Sequence, residues 1–303
     1  MLIGGILITA LFLLVFLAVP VYIALGATGT LGLIFIAIGP GFGNPLIVIP
    51  QSIYTGIGFF PLLAIPLFIL AGEIMNKTGI TDRLIRFSAM LIGKMPASLA
   101  NANIVASMFF GGITGSAQAD TSAVGGVMIP AMVKAGYTPE FSVAVTASSS
   151  TVGPIIPPSI MMVIYGVTVG TSIGALFIGG LIPGIMIGLA LIGTVLVMDR
   201  KHKFPRRTEN IPLREKIVIT RDALWPLGMP LIIVGGILGG VVTPTEAGSL
   251  AVLYSLIFGF AINRTLKLSD IRPMLIHTAT LTAAVMMIIS CAKILSYVLT
   301  AYQ

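Results

Sequence analysis

Asp120 lies in the stretch Gly111-Gly112-Ile113-Thr114-Gly115-Ser116-Ala117-Gln118-Ala119-Asp120-Thr121-Ser122 and is the only acidic residue between Asp82 and Glu140. A carboxylate is expensive to hold at membrane depth, so one found there is read first as part of a solute or cation site. Ser116 and Thr121 place hydroxyls on either side of it. A structural role competes, because Asp ahead of Thr-Ser and an apolar run has the pattern of a helix N-cap. One residue can serve in both ways.

A second constellation is Thr146-Ala147-Ser148-Ser149-Ser150-Thr151-Val152-Gly153-Pro154-Ile155-Ile156-Pro157-Pro158-Ser159, set inside a long apolar run. Its prolines remove backbone donors and force a helix to break. The hydroxyls of Ser148, Ser149, Ser150 and Thr151, with the carbonyls freed by the break, are the hard oxygen ligands a small cation prefers. Small residues also permit close helix packing, but four in succession cannot all face one interface. A helix broken mid-membrane presents carbonyls at one half's end and amides at the other's start, which suits a cation and an anion side by side.

Other groups carry less chemistry. Glu246 in Thr243-Pro244-Thr245-Glu246 falls in the first turn of a helix that proline begins, where a carboxylate is a structural feature. His202 and His277 have no ligand-type neighbours at metal spacing, so no metal centre is expected from them. Cys291 reads as a small core residue. No glycine loop is followed by Lys-Ser or Lys-Thr, so ATP is not expected to drive this chain directly.

The elements that must position these groups belong in a bilayer. Of 303 residues, 56% are hydrophobic and 9% charged, whereas a soluble domain carries roughly 25% charged residues. Uncharged stretches long enough to span recur at Leu2–Gly26, Leu46–Gly72, Phe141–Met198 and Ala223–Gly240, and Pro273–Gln303 is interrupted only by Lys293. Leu2–Gly26 is expected to be the first span.

Eight basic residues, Arg200, Lys201, Lys203, Arg206, Arg207, Arg214, Lys216 and Arg221, fall in the polar segment Asp199–Asp222. The positive-inside rule places that segment in the cytoplasm, and the clustering suits membrane lipid rather than nucleic acid. Asn76–Met95 is amphipathic and is expected at a membrane face. The apolar flanks Ala97–Phe110 and Ala123–Val133 are each too short to cross alone, so residues 111–122 read as the polar tip of a re-entrant hairpin. Irregular backbone at this depth survives only where protein buries it or a watery cavity lines it, and paired elements of this kind mark transporter sites.

Three stretches carry a resemblance to a family: Gly112–Ala123, Ser148–Ser159 with its Gly-Pro-Ile-Ile-Pro-Pro core, and Gly236-Ile237-Leu238-Gly239-Gly240-Val241-Val242-Thr243-Pro244-Thr245-Glu246-Ala247-Gly248. The chain resembles the large membrane (M) subunit of tripartite ATP-independent periplasmic (TRAP) transporters, similar to those for C4-dicarboxylates or sialic acid. The resemblance implies an all-α polytopic membrane protein, an elevator-type inverted-repeat carrier with a re-entrant hairpin and a broken helix. It implies a multi-pass protein of the bacterial or archaeal inner membrane that imports small organic acid anions with Na+ as coupling ion. Its partners would be a small four-helix membrane subunit and a periplasmic substrate-binding protein.

By position, the resemblance puts Ser116, Asp120 and Thr121 at the solute, and Ser148, Ser149, Ser150, Thr151, Gly153 and Pro154 around sodium. It divides the chain into scaffold helices and an interfacial segment (1–96), a first transport repeat (97–198), a cytoplasmic basic loop (199–222) and second-half scaffold helices (223–303). The second hairpin and second broken helix expected of such a subunit are not in this sequence, so the second repeat is incomplete and the chain is expected to be a fragment. A single-component sodium/dicarboxylate-type symporter, working without a binding protein, is the alternative. A channel would want a continuous polar lining, and an intramembrane enzyme would want a serine with a histidine base or paired carboxylates; the sequence supplies neither pattern.

Overall fold

In lipid the backbone must satisfy its own hydrogen bonds, so apolar runs become helices and the sites of irregularity are set by proline and glycine. The computed structural model describes residues 2–38, 45–206 and 211–301; Arg207 of the basic segment and the last residues of the terminal apolar stretch lie outside them. The helices are α1 (Leu2–Phe16), α2 (Val21–Ile38), α3 (Val48–Ile57), α4 (Ala64–Lys77), α5 (Ile80–Ile92), α6 (Ser98–Thr114) and α7 (Ala117–Lys134). They continue with α8 (Pro139–Ser150), α9 (Ile160–Val169), α10 (Ile173–His202), α11 (Leu213–Leu238), α12 (Pro244–Ile257) and α13 (Leu268–Ala301). Among the described residues there is no strand, and six helices are long and apolar enough to cross a membrane.

The chain divides into two packing units, residues 1–62 with 276–303, and residues 63–275. In the first, glycines along α2 let α13 approach. A Cβ added at Gly29 would lie 2.8 Å from Ile294 Cγ2, and one at Gly32 would lie 2.4 Å from Val298 Cγ1. Gly26 faces the Cys291 sulfur in the same row, which gives that buried cysteine its packing role. Side chains of Leu7, Leu33, Ile36, Ile294 and Val298 fill the seam.

One expectation for this unit is overturned. Leu2–Gly26 is not one span: α1 stops at Phe16 and α2 starts at Val21. Ala18 takes φ 61° in the turn, and Pro20, which has no amide hydrogen to donate back into a helix, fixes the new start. Lys293 does not interrupt α13 either. Its ammonium donates to the Thr55 carbonyl at 3.1 Å, one of the α3 terminal carbonyls that lack a helical partner.

The second unit holds both constellations. Lipid gives apolar faces no reason to leave it, so helices here associate through small side chains that allow close packing. Accordingly, Ala97, Ala100, Ala102 and Ala106 are fully buried on or beside α6. Gly248 of α12 lets Leu67 of α4 come within 2.8 Å of where its Cβ would be. Amphipathic α5 buries Ile80, Thr81, Leu84 and Ser88 on one side and carries Asp82, Arg83 and Arg86.

Helices claim much of the polar segment 199–222, since α10 runs to His202 and α11 begins at Leu213. Asp199 gathers the turn between them: its carboxylate accepts from the Phe204 amide at 2.8 Å and pairs with Arg206 at 3.2 Å. Phe204 stacks on Phe141 and Tyr137, tying that turn to the start of α8. Burial pushes the Tyr137 hydroxyl up to about 12, so it stays protonated and donates to the Pro205 carbonyl at 3.1 Å.

Candidate functional site

The hairpin turns where α6 meets Gly115, which adopts φ 61° and donates from its amide to the Gly111 carbonyl at 2.8 Å. A left-handed residue ending a helix is the usual place for glycine. Ser116 is extended and caps α7, its hydroxyl accepting from the Ala119 amide at 3.3 Å and donating to Gln118 Oε1 at 3.2 Å. Ser116 therefore takes the capping role weighed above for Asp120, which sits one turn inside α7. The polar tip is also narrower than residues 111–122, because Gly111–Thr114 and Ala117–Ser122 are helical.

The broken helix starts with Thr138 as cap and Pro139 in the first turn, and α8 ends at Ser150. Residues 151–159 then turn around the prolines, and Ser159 caps α9 by accepting from the Met162 amide at 3.3 Å. The same hydroxyl donates to the Pro154 carbonyl at 2.6 Å, so one lone pair of that carbonyl is already engaged.

Hairpin tip and helix break touch backbone to backbone. A Cβ on Gly111 would stand 2.4 Å from the Gly153 Cα, and one on Gly115 would stand 2.8 Å from the Pro158 carbonyl oxygen and 2.9 Å from the Ile160 nitrogen. A Cβ on Gly153 would come within 3.6 Å of the Ser116 carbonyl carbon. The capped N-termini of α7 and α9 thus converge, and their free amides and helix dipoles favour negative charge.

A polar seam runs below this contact between α6, α7 and α8. Asn103 Nδ2 donates to the Thr146 hydroxyl at 2.6 Å, and the Ser107 and Ser149 hydroxyls lie 3.0 Å apart. Ser149 and Ser150 both donate to the Thr146 carbonyl, at 3.0 and 2.8 Å. Asp120 is 0% exposed, and neither of its carboxylate oxygens has a hydrogen-bond partner. The side chains bearing on it are Ser150 and Ser107.

The shortage of donors follows from counting hydrogens. A serine hydroxyl has one. The Ser150 and Ser149 hydroxyls are placed to donate to the Thr146 carbonyl, and Ser107 and Ser149 share one hydrogen bond in which either can donate. For Asp120 the only donors in reach are the Ser150 and Ser107 hydroxyls, each of which already has another oxygen to bond. Asn103 Oδ1 is likewise buried without a partner. A buried charge with no counter-group is unfavourable by several kcal/mol, and a cation among these oxygens would relieve it. Among the described residues no cluster of three or more His, Cys, Asp or Glu side chains exists, and Asp120 is the one ionisable side chain among the seam residues.

The expected site residues separate into two groups. Asp120, Ser149 and Ser150 are brought together in the seam, with Ser116, Gly153 and Pro154 above them at the tip contact. Ser148, Thr151 and Thr121 are exposed; Thr151 donates to the Ser148 carbonyl at 2.7 Å and Thr121 to the Ala117 carbonyl at 2.9 Å. Asn103, Ser107 and Thr146 were not anticipated as seam residues. Their signal is spacing, since Asn103 and Ser107 are one turn apart, as are Ser142, Thr146 and Ser150, so each set forms one polar stripe.

Away from the seam, Glu246 has the structural role expected of it. Its carboxylate accepts from the Thr243 amide at 2.7 Å while the Thr243 hydroxyl accepts from the Glu246 amide at 3.3 Å, a reciprocal capping box.

Residues 8–303 match the profile of the family described as tripartite ATP-independent periplasmic transporter, DctM component. The chain is 41% identical over 283 residues to YgiK of Salmonella typhimurium, covering 93% of this chain and 64% of that protein. It is 38% identical over 290 residues to the ectoine TRAP transporter large permease protein TeaC of Halomonas elongata, covering 96% and 67%. It is 36% identical over 292 residues to the sialic acid TRAP transporter large permease protein SiaM of Vibrio cholerae, covering 91% and 67%. The chain thus spans about two thirds of the length of these relatives. With apolar helices throughout and a family match over nearly its whole length, the chain is a multi-pass membrane protein that belongs to the DctM component family of TRAP transporters.

Proposed function

We propose that the chain is the transmembrane subunit of a sodium-coupled importer of small organic acid anions in the inner membrane. It would receive solute from a periplasmic substrate-binding protein and pair with a small four-helix membrane subunit. The observation that carries the proposal is Asp120, a fully buried carboxylate with no cationic partner and only the Ser150 and Ser107 hydroxyls in reach, held where the hairpin packs against the broken helix. The relatives' names support the substrate class, since SiaM is a sialic acid transporter component and a further relative from Vibrio cholerae is a C4-dicarboxylate one.

In this reading sodium sits with Asp120, Ser149 and Ser150, helped by Ser107 and Asn103 Oδ1, with the Gly153 and Pro154 carbonyls bordering the site. Ser148 and Thr151, exposed on the other side of α8, are weaker candidates for the same ion. The anion is drawn to the paired N-termini of α7 and α9 beside Ser116, with Thr121 on the exposed side of α7. Sodium neutralises the seam and orders the tip against the break, which completes the anion site; ordering by one ligand favours binding of the other. Residues 97–198 would form the part that carries the site across the membrane in an elevator step, with residues 1–96 and 223–303 as scaffold.

Uptake of labelled organic acids into proteoliposomes containing the full-length protein and its small subunit tests this reading. Uptake should require both a sodium gradient and the binding protein. Uptake that proceeds without sodium, or without the binding protein, contradicts it.

A further inference from the structure

The first turns of α11 separate their charges. Glu215 and Asp222 face a cavity shared with Asp82, Arg83 and Arg86 of α5. On the opposite side of α11, Lys216 and Arg221 border a different groove of about 610 Å³, formed with Met90 and Leu91 at the end of α5. Between the two cations lie Leu213, Ile217 and Leu224, which are 73%, 62% and 62% exposed. Thr220 also lines the groove, its hydroxyl donating to the Lys216 carbonyl of its own helix at 2.8 Å.

Neither cation is held in a buried ion pair among the described residues. Among the described residues no carboxylate pairs with Lys216, and Arg221 meets only Asp222 at 3.7 Å, with side chains 73% and 41% exposed. Such an exposed pair contributes little. The wheel of α11 puts Lys216 and Arg221 on the two edges of the apolar stripe, about 7.5 Å apart along the axis.

We propose that this groove is a binding site for an anionic phospholipid of the cytoplasmic leaflet, with Lys216 and Arg221 on the phosphate and one acyl chain running inward along Ile217 and Leu224. The density of basic residues between Arg200 and Arg221 puts the start of α11 on the cytoplasmic side. That leaflet carries the negative lipid charge, and basic pockets between membrane helices suit such headgroups. An apolar stripe bounded by exposed cations matches a molecule with a charged head and hydrocarbon tail, and it matches a neutral partner helix poorly.

The test is native mass spectrometry of the full-length protein titrated with dioleoyl-phosphatidylglycerol or dioleoyl-phosphatidylcholine. The wild type should hold phosphatidylglycerol more tightly than phosphatidylcholine. Lys216→Gln/Arg221→Gln should weaken phosphatidylglycerol by about 25-fold, at roughly fivefold per lost cation, and leave phosphatidylcholine unchanged. Lys216→Arg/Arg221→Lys should keep the preference, which separates charge from folding. Lys201→Gln/Lys203→Gln, which removes equal charge from the turn region, should have no effect. Equal binding of the two lipids by the wild type overturns the proposal. So does unchanged phosphatidylglycerol binding in the first variant, or an equal loss in the Lys201→Gln/Lys203→Gln control.

Discussion

Gly111 and Gly153 meet with no side chain between them: a methyl group on Gly111 would stand 2.4 Å from the Gly153 Cα. The obstacle is main chain, which cannot rotate out of the way. Hairpin and broken helix are therefore seated on each other by backbone contact, and the polar seam beneath inherits its geometry from that contact.

Gly111→Ala should force the two elements apart. Overpacking of this kind destabilises by about 1–3 kcal/mol, and it should abolish uptake. Gly126→Ala, at a helical position where an added Cβ meets nothing within 4 Å, should be neutral or slightly stabilising. A thermal-shift assay on both variants decides; equal midpoints would remove the contact's importance.

Asp120→Asn should raise the stability of the sodium-free protein, because it removes an unpaired buried charge at nearly constant shape. It should also abolish stabilisation by sodium, which in the wild type grows with the ratio of ion concentration to dissociation constant. The opposite pattern, a less stable variant that still responds to sodium, would make the carboxylate structural.

Ser149 and Thr151 should part company. Ser149→Ala removes a seam oxygen and frees the Ser107 hydroxyl to turn to Asp120, so it should change stability by less than the about 1–3 kcal/mol of a stranded group while weakening sodium activation of uptake. Thr151→Ala removes an exposed hydroxyl bonded to its own helix and should leave stability within about 0.5 kcal/mol of wild type. Unfolding midpoints and sodium titrations of uptake separate the two.

The Asn103–Thr146 bond should be measurable as a coupling. Thr146→Val keeps the shape but leaves the Asn103 amide without its 2.6 Å acceptor, a loss of about 1–3 kcal/mol. Combined with Asn103→Leu the second change should cost less than it does alone, with a coupling of about 0.5–3 kcal/mol. Additive effects would mean that the two residues act independently.

The elements that carry strong chemical punctuation were legible in the sequence. Pro154, Pro157 and Pro158 marked the broken helix, Thr243 and Glu246 marked a helix start, and the glycines near residue 115 marked the hairpin turn. Boundaries that depend on a short unmarked turn were not: α1 and α2 separate at Ala18–Pro20 inside an apolar run that composition alone reads as continuous. The site was half legible. Asp120 stood out as a lone acid, but its neighbours were found only once packing laid the Asn103–Ser107 stripe against the Ser142–Thr146–Ser150 stripe. The run Ser148–Thr151 looked like one ligand set, whereas helical geometry turns Ser149 and Ser150 inward and Ser148 and Thr151 outward.

The most direct test of the central claim is radiolabelled sodium binding by the purified full-length protein, wild type against Asp120→Asn, with thermal midpoints in potassium confirming that both are folded. Saturable sodium binding by the wild type that disappears in the folded Asp120→Asn protein is the result this account predicts. Equal sodium binding by the two proteins would contradict it and place the coupling ion elsewhere.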